Sequence, residues 1–219
     1  MKKKIKIITF ANFRSCGKSS NARLLAERIG TSILNFDSER NAEHYNAINT
    51  INIKPNKKIS RDEENLILRD DHTEQKISSN SGFLICDLGG YFDPRVTDLQ
   101  SDFYILPTFD DYESMSETVK TAKYILKAHP LAKIIFILNC AFLVTQKEKD
   151  IVLKQWHEQL EINSLEQFKT FLMPRTNICK KLVNDYKQQT ELENENATLK
   201  HSYRGIKSFV DDLSNELGA

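Results

Sequence analysis

The sequence lacks the charge excess, the apolar stretches and the leader segment that would assign it to several common classes. Its 219 residues carry 31 basic and 30 acidic side chains, so a formal net charge of +1 gives no general attraction to nucleic acid. No apolar run approaches the length needed to span a bilayer. The basic start MKKKIKIITF lacks the apolar length and the cleavage site of a signal peptide. We therefore expect a cytoplasmic protein with no membrane partner.

Cysteine and histidine are also too scattered to suggest a metal or redox motif. None of the four cysteines has a partner at C-x-x-C spacing, and the five histidines show neither metal-ligand nor triad spacing. Cys86 and Cys140 lie in apolar runs, where we expect buried core thiols. Cys16 lies in a polar loop, where it is either a small space-filling residue or a thiol sensitive to oxidation.

Apolar strand patterns alternate with amphipathic helix patterns along the chain. Strands are predicted over residues 5–10, 32–36, 83–86, 103–106, 134–138 and 168–173, and helices over 19–29, 112–128, 147–160, 177–188 and 202–217. Residues 63–76 predict a further, polar helix with Leu66 and Ile67 as its apolar contacts. Several strands are apolar without alternation, which is typical of parallel sheets buried on both faces. With no repeat and no evident linker, we expect residues 1–219 to form a single α/β domain whose mostly parallel sheet is covered by helices on both faces.

Residues 5–24, IKIITFANFRSCGKSSNARL, contain a strand, a short loop and the start of a helix. The loop ends in GKSS at residues 17–20, which matches the end of the phosphate-binding pattern G-x-x-x-x-G-K-[ST]. In such a P-loop, backbone N–H groups and the helix N-terminus hold phosphate, Lys18 reaches the β- and γ-phosphates, and Ser19 holds Mg²⁺. The first glycine of the pattern is replaced by Asn12, which adopts left-handed backbone less freely. The alternative is an ordinary strand-to-helix turn whose lysine is solvated.

Acidic residues follow two of the predicted strands. Asp87 ends the buried run 83–86, and Asp37 begins a polar segment after the strand at 32–36. Ligands of open α/β sheets bind at the carboxyl ends of the strands, and a buried carboxylate is costly unless it is paired or close to a metal. Asp87 is therefore a candidate for ordering Mg²⁺ through water, the alternative being a cap of the following turn.

Further motifs follow along the chain, and their order is similar to the order of the motifs in one known family. The matching stretches are FRSCGKSS, NFDSERNAEHY, FLICDLGG, SDFYILPT, IIFILNCA and FLMPRTNICKKLVNDY. Together they cover nearly the whole chain and resemble the ParA/MinD family of deviant Walker P-loop ATPases. The ParA-type partition proteins and the plasmid TraL and StbB proteins look more similar than MinD. MinD ends in a basic amphipathic membrane helix, whereas the tail KSFVDDLSNELGA is acidic, so we expect it to pack on the body.

The resemblance implies a P-loop NTPase that binds ATP and Mg²⁺, hydrolyses ATP slowly and forms an ATP-dependent homodimer. It also implies that this dimer positions DNA or other cargo, with a partition adaptor protein as a further partner. Carried over by position, the nucleotide-binding residues would be Ser15, Cys16, Gly17, Lys18, Ser19, Ser20 and Asn139. Lys18 and Asp37 would be catalytic, with Asp37 positioning the attacking water, while Asn139 would contact adenine. Ser19 and Asp87 would serve Mg²⁺.

Non-specific DNA contacts are implied for basic residues late in the chain. The preferred candidates are Lys180, Lys181, Arg204 and Lys207. The alternative is that these side chains belong to an ordinary solvated face.

The chain departs from the family at the start of the loop. The signature lysine, five residues before Lys18, is Phe13 here, and the two family glycines are Arg14 and Ser15. Arg14 either supplies the missing cation as a catalytic residue, or faces solvent or pairs with an acidic residue. Loss of one cationic contact to a transferring phosphoryl group costs on the order of 10³-fold or more in rate. An alternative function is therefore a nucleotide-binding scaffold with weak or no hydrolysis. A dethiobiotin-synthetase-like ligase shares the fold, but the sequence has no motif for its substrate pocket.

Overall fold

The computed structural model contains ten strands and five helices in its described residues. It describes residues 4–14, 16–36, 49–53, 57–70, 73–89, 95–140, 145–174 and 197–219, the last range with side chains from residue 203 onward. The elements are β1 Lys6–Phe10, α1 Lys18–Ile29, β2 Ile33–Asn35, β3 Thr50–Asn52, β4 Lys58–Arg61, β5 Leu66–Arg69, β6 Glu74–Ile77, β7 Phe83–Asp87, α2 Arg95–Asp98, β8 Phe103–Phe109, α3 Tyr112–Ala128, β9 Ile134–Asn139, α4 Gln146–Ile162, β10 Lys169–Met173 and α5 Ala197–Leu217. The helix predicted over 177–188 lies outside the described residues.

Seven strands form one sheet in the order β10-β9-β8-β1-β7-β2-β3. Every neighbouring pair is parallel, so the carboxyl ends of all seven strands lie along the same edge. Within the pairing of β1 with β7, Phe10 stands opposite Asp87. The loop that follows β1 therefore starts beside the carboxylate that ends β7. The predicted α/β architecture with a mostly parallel sheet is confirmed.

Helices cover both faces of this sheet, as the apolar strands predict. One face packs against α3 and α4, the other against α1 and α5. Because side chains alternate along a strand, Phe136 of β9 belongs to the first core and Ile137 to the second. The acidic tail packs on the body as expected, since α5 buries Tyr203, Ile206, Phe209, Val210, Leu213 and Leu217. In the described part of the chain, no helix is both long enough and apolar enough to cross a membrane.

The helix predicted over residues 63–76 is wrong. This region contributes to a three-stranded antiparallel sheet, β4-β5-β6, whose Leu66 and Leu68 are fully buried in the core beneath α3 and α4. Two turns separate its strands. Asp62 accepts hydrogen bonds from the backbone N–H groups of Glu64 and Asn65, and Asp70 accepts one from Thr73. Aspartate side chains that bond the following backbone favour turns over helix, and this chemistry decides the local structure.

The strand β8 extends beyond its predicted end and runs through Pro107 to Phe109. The carbonyl of Ile105 accepts the N–H of Ala11 at 3.1 Å. Every second residue of β8, counted from Ile105, therefore directs its backbone N–H and C=O groups toward β1. Pro107 lies two residues further on, where β1 has already ended, and its missing N–H breaks no ladder bond. Its carbonyl accepts from the Asn12 side chain at 2.6 Å instead. The proline therefore contributes to holding the loop that follows β1.

Candidate functional site

The loop between β1 and α1 enters the helix at Gly17. This residue caps α1 with a left-handed backbone, φ 78° and ψ 22°. A Cβ at this position would lie 3.3 Å from Asn139 Nδ2, which is closer than ordinary contact. Glycine is required here for both backbone conformation and space. Of the remaining loop residues predicted to bind phosphate, Ser20 lies in the first turn of α1 and Ser15 lies outside the described residues.

Lys18, Ser19 and Asp87 are brought together at the carboxyl ends of β1 and β7. Ser19 Oγ donates a hydrogen bond to Asp87 Oδ2 at 2.6 Å, joining residues 68 positions apart. Asp87 is fully buried, and Lys18 is only 5% exposed. Lys18 Nζ donates to the carbonyl of Arg14 at 3.0 Å, so its ammonium lies against the loop. A hydroxyl and a carboxylate are the oxygen donors that Mg²⁺ prefers, and a lysine beside them suits phosphate. These residues fit a Mg²⁺-nucleotide.

Asn12, at the position of the first glycine in the pattern, acts through its side chain. Its Nδ2 donates to the Pro107 carbonyl at 2.6 Å and to Thr118 Oγ1 at 2.7 Å. Its Oδ1 accepts the backbone N–H of Arg14 at 3.1 Å. Among the described non-glycine residues, positive φ occurs only at Gln100 and Ser164, so Asn12 does not use a left-handed backbone.

Phe13, at the position of the missing lysine, packs against α3. Its ring centroid lies 6.0 Å from that of Tyr124 at an interplanar angle of 58°. Its backbone N–H donates to Thr121 Oγ1 at 3.2 Å. The side chain that would carry a cation in the family is thus part of an aromatic contact in this chain.

Arg14 pairs with acidic residues at the start of α3. Its Nη1 lies 2.9 Å from Glu113 Oε2 and 3.8 Å from Asp111 Oδ1. Partial burial of Asp111 acts to raise its pKa, but hydrogen bonds from Ser114 together with the Arg14 charge outweigh this and lower that pKa below its usual value. The acidic pairing is the second of the two arrangements that the sequence allowed. A contact of Arg14 with nucleotide, and with it a catalytic role, stays a prediction.

Asn139 contacts the loop from the end of β9. Its Nδ2 donates to the Cys16 carbonyl at 2.8 Å, and its Oδ1 accepts from Asn21 Nδ2 at 3.2 Å. Asn21 also donates to the Gly17 carbonyl at 2.9 Å. The side chains of Asn21 and Asn139 are 1% and 6% exposed. The predicted adenine contact of Asn139 stays a prediction.

Several solved structures superpose on nearly the whole chain. Nucleotide-free McdA from Cyanothece has a TM-score of 0.58 and 12% identity, over 94% of this chain and 99% of that chain. A plasmid partition protein from Borrelia burgdorferi B31 bound to AMPPNP has a TM-score of 0.54 and 15% identity, over 94% of this chain and 98% of that chain. MinD from Aquifex aeolicus has a TM-score of 0.54 and 10% identity, over 96% of this chain and 97% of that chain.

The chain has the ParA/MinD fold. No family model and no curated protein sequence matches it. At identities of 10 to 15%, the likeness establishes the fold alone. Within this fold, the Ser19–Asp87 contact lies at the carboxyl edge of the parallel sheet.

Burial decides between the two interpretations of Cys16. The side chain is fully buried, and this burial raises the pKa of its thiol above the usual value. Burial likewise raises the pKa of Cys86 to about 12. A protonated, inaccessible thiol reacts poorly with oxidants, so the space-filling interpretation of Cys16 is favoured.

The remaining predicted residues divide between described and undescribed parts of the chain. Asp37, Lys180 and Lys181 lie outside the described residues. Arg204 and Lys207 are exposed on α5, three residues apart and therefore on neighbouring positions of one helix face.

Sequence reasoning missed Asn21 and the side-chain roles of Asn12 and Asn139. Asn21 reads as an ordinary polar residue of an amphipathic helix, yet it is almost fully buried. The only local signal is a concentration of asparagine near a loop that is short of glycine.

Proposed function

We propose that the chain is an ATP-binding protein of the ParA/MinD type that hydrolyses ATP slowly with Mg²⁺ and acts in the partition, stability or positioning of plasmid or other DNA. The observation that carries the proposal is the Ser19–Asp87 hydrogen bond beside the buried Lys18, at the start of α1. A solvated lysine in an ordinary turn would not need a hydroxyl and a buried carboxylate next to it. The similarity of the fold to partition and positioning proteins supports the biological part of the proposal.

Each residue of the site has a defined task in this proposal. Lys18 exchanges the Arg14 carbonyl for phosphate oxygens, which form stronger, charge-assisted hydrogen bonds. Ser19 would hold Mg²⁺ through its hydroxyl and Asp87 would help to hold it through water, and the ion would supply positive charge to neutralise the phosphates. Asp37 positions the attacking water. The N–H groups of residues 15–20 surround the phosphates at the start of α1.

The proposed partners are a second copy of the chain, non-specific DNA and a partition adaptor protein. Residues 1–219 act as one domain in this proposal. Arg204 and Lys207 on α5, together with Lys180 and Lys181, are the proposed DNA contacts. Because phosphate contacts are electrostatic, this binding should weaken steeply as salt increases.

A second candidate function is a nucleotide-binding scaffold without turnover. Two observations favour it: Phe13 packs on Tyr124, and Arg14 pairs with Glu113. Neither position then offers a cation to a transferring phosphoryl group. Removing such transition-state contacts leaves ground-state binding possible in energetic terms.

One experiment separates the two functions. ATP binding and turnover are measured with Mg²⁺ for the wild type and Lys18→Ala, with and without DNA, while light scattering follows the mass. Slow turnover with an ATP-dependent dimer supports the ATPase. Tight binding without turnover supports the scaffold. Absence of ATP binding in the wild type would contradict both.

A further inference from the structure

The phosphate loop of this chain cannot take its shape from glycine. Residues 12 to 16 are Asn, Phe, Arg, Ser and Cys, and each side chain restricts the backbone angles of its residue. Gly17 is the only residue of the loop with free access to left-handed backbone. The direction of the loop peptides must therefore come from contacts with the surrounding structure.

Two buried amides make such contacts at the end of the loop. Asn139 donates to the Cys16 carbonyl at 2.8 Å, and Asn21 donates to the Gly17 carbonyl at 2.9 Å. Asn21 Nδ2 also donates to Asn139 Oδ1 at 3.2 Å. Each asparagine thus holds a loop carbonyl, and the bond between them keeps both side chains in place.

Holding a carbonyl also sets the direction of the next N–H group. All peptide bonds of the described chain are trans, so the C=O and the following N–H point in opposite directions. Because the Cys16 carbonyl points at Asn139, the Gly17 N–H points away from β9. The Gly17 carbonyl also accepts the backbone N–H of Asn21 at 3.0 Å, the first hydrogen bond of α1, so the helix itself directs the Lys18 N–H. Backbone N–H groups of a P-loop are the donors that hold phosphate.

We propose that Asn139 is a positioning residue of the phosphate site, which acts by orienting the Gly17 N–H toward bound polyphosphate. This inference rests on the proposed nucleotide binding and assigns Asn139 to the phosphates rather than to the base. Asn21 supports it by fixing the amide of Asn139. A ligand with phosphates and no base therefore depends on Asn139 as much as ATP does.

The test compares two ligands that differ only in having a nucleoside. Calorimetry measures the binding of Mg²⁺-ATP and of Mg²⁺-tripolyphosphate to the wild type, Asn139→Ala and Asn139→Asp. We expect Asn139→Ala to weaken both ligands by the same factor, about tenfold, which is about 1.4 kcal/mol at 25 °C. Asn139→Asp keeps the shape but cannot donate to Cys16 when ionised, so it should weaken both ligands at least as much. Should Asn139→Ala fail to fold, the isosteric variant gives the same comparison.

Asn163→Ala is the matched control. Asn163 also donates to a backbone carbonyl, that of Gln159 at 2.7 Å, but it lies at the end of α4, where its Oδ1 accepts from Lys123 of α3 rather than from a loop residue. Its variant should bind both ligands as the wild type does. A loss at Asn139 confined to ATP would show a base contact and overturn the proposal, as would unchanged binding of both ligands.

Hydrogen exchange without ligand separates this proposal from the proposed function. Residues 13–24 should exchange faster in Asn139→Ala than in the wild type, because the Cys16 carbonyl has lost its amide partner. If the wild type binds neither ligand, the nucleotide function fails, and faster exchange would then support only the part of the proposal in which Asn139 orders the loop. Unchanged exchange in these residues would overturn that role whatever the ligands do.

Discussion

The two halves of the loop between β1 and α1 are held by different parts of the structure. The first half, residues 12–14, is docked on α3 and β8: Asn12 donates to Thr118 and to the Pro107 carbonyl, and the Phe13 ring contacts Tyr124. The second half, residues 16–19, is held by side-chain hydrogen bonds at the ends of β7 and β9: Ser19 donates to Asp87, and Asn139 donates to the Cys16 carbonyl. The first half therefore packs an aromatic ring at the position where the family has a cation, while the second half keeps the groups that we propose to bind phosphate and metal.

We expect this difference between the two halves to affect ATP binding and ATP hydrolysis differently. In the proposed function, ground-state binding of a Mg²⁺-nucleotide depends on Lys18, Ser19 and Asp87, which all belong to the second half or its contacts. Stabilisation of the transferring phosphoryl group depends on additional cations, which the family places in the first half. A chain built in this way is expected to bind ATP well and to hydrolyse it slowly.

The largest effect is expected from Lys18→Ala. The ammonium forms charge-assisted bonds with phosphate, so its loss should weaken ATP binding by about a hundredfold, or about 3 kcal/mol. Calorimetry measures this change, with Lys154→Ala as a control because Lys154 is an exposed lysine of α4. Equal affinity of Lys18→Ala and the wild type would mean that the second half does not hold the phosphates.

Phe13→Lys tests the first half directly. Restoring the family cation should raise the rate of ATP turnover by about tenfold or more if the missing charge limits the reaction. The substitution also removes the contact with Tyr124, worth about 1 kcal/mol of stability. Phe13→Leu loses the same aromatic contact without adding charge and is the control. Turnover that rises equally in both variants would point to loop release rather than to charge.

Ser19→Ala should produce a smaller, Mg²⁺-dependent loss. Removing the hydroxyl takes away the proposed metal ligand, so ATP affinity should fall by about tenfold with Mg²⁺. It should change little in EDTA, where no metal is held. Ser208→Ala, which changes an exposed serine of α5, serves as the control. Equal losses with and without the metal would contradict a metal-ligand role.

Glu113→Gln should change little in the folded protein. The side chains of Arg14 and Glu113 are 42% and 73% exposed, and exposed ion pairs contribute roughly 0 to 1 kcal/mol. If Arg14 moves to the nucleotide on binding, weakening its acidic partner should raise ATP affinity by a few-fold, whereas Arg14→Ala should lower it. Unchanged nucleotide kinetics in Arg14→Ala would remove a catalytic role for this residue.

The smallest effect is expected on the stability of the folded protein at acid pH, to which Asp111 contributes. Its pKa in the folded protein lies below the ordinary value of 3.8, so ionised Asp111 stabilises the fold above that pH. The contribution is lost as the pH falls from about 3.8 through the folded pKa. Asp111→Asn keeps the helix cap, and its stability difference from the wild type should shrink between pH 5 and pH 2. Urea unfolding at several pH values measures this, and a pH-independent difference would contradict it.

Much of the fold could be predicted because its signals are local. Continuous apolar runs marked the strands of the parallel sheet, and helical periodicity placed α3 over residues 112–128 as observed. Gly30 follows the helix predicted over 19–29 and caps α1 with φ 69°. The antiparallel sheet of β4-β5-β6 was missed because its strands are short and its turns depend on Asp62 and Asp70 bonding to nearby backbone. Composition alone does not distinguish such turns from a polar helix.

The sequence by itself determined the main strands and helices outside residues 49–77, the GKSS end of the loop and the acidic residue at the end of β7. These follow from periodicity, burial and turn chemistry over a few neighbouring residues. Only the tertiary structure decided that Asn139 holds Cys16, 123 residues away, that Arg14 pairs with α3, and that Pro107 accepts from Asn12. Such contacts depend on which strands are neighbours in the sheet. Sheet order is set by the packing of the whole chain, and no short segment encodes it.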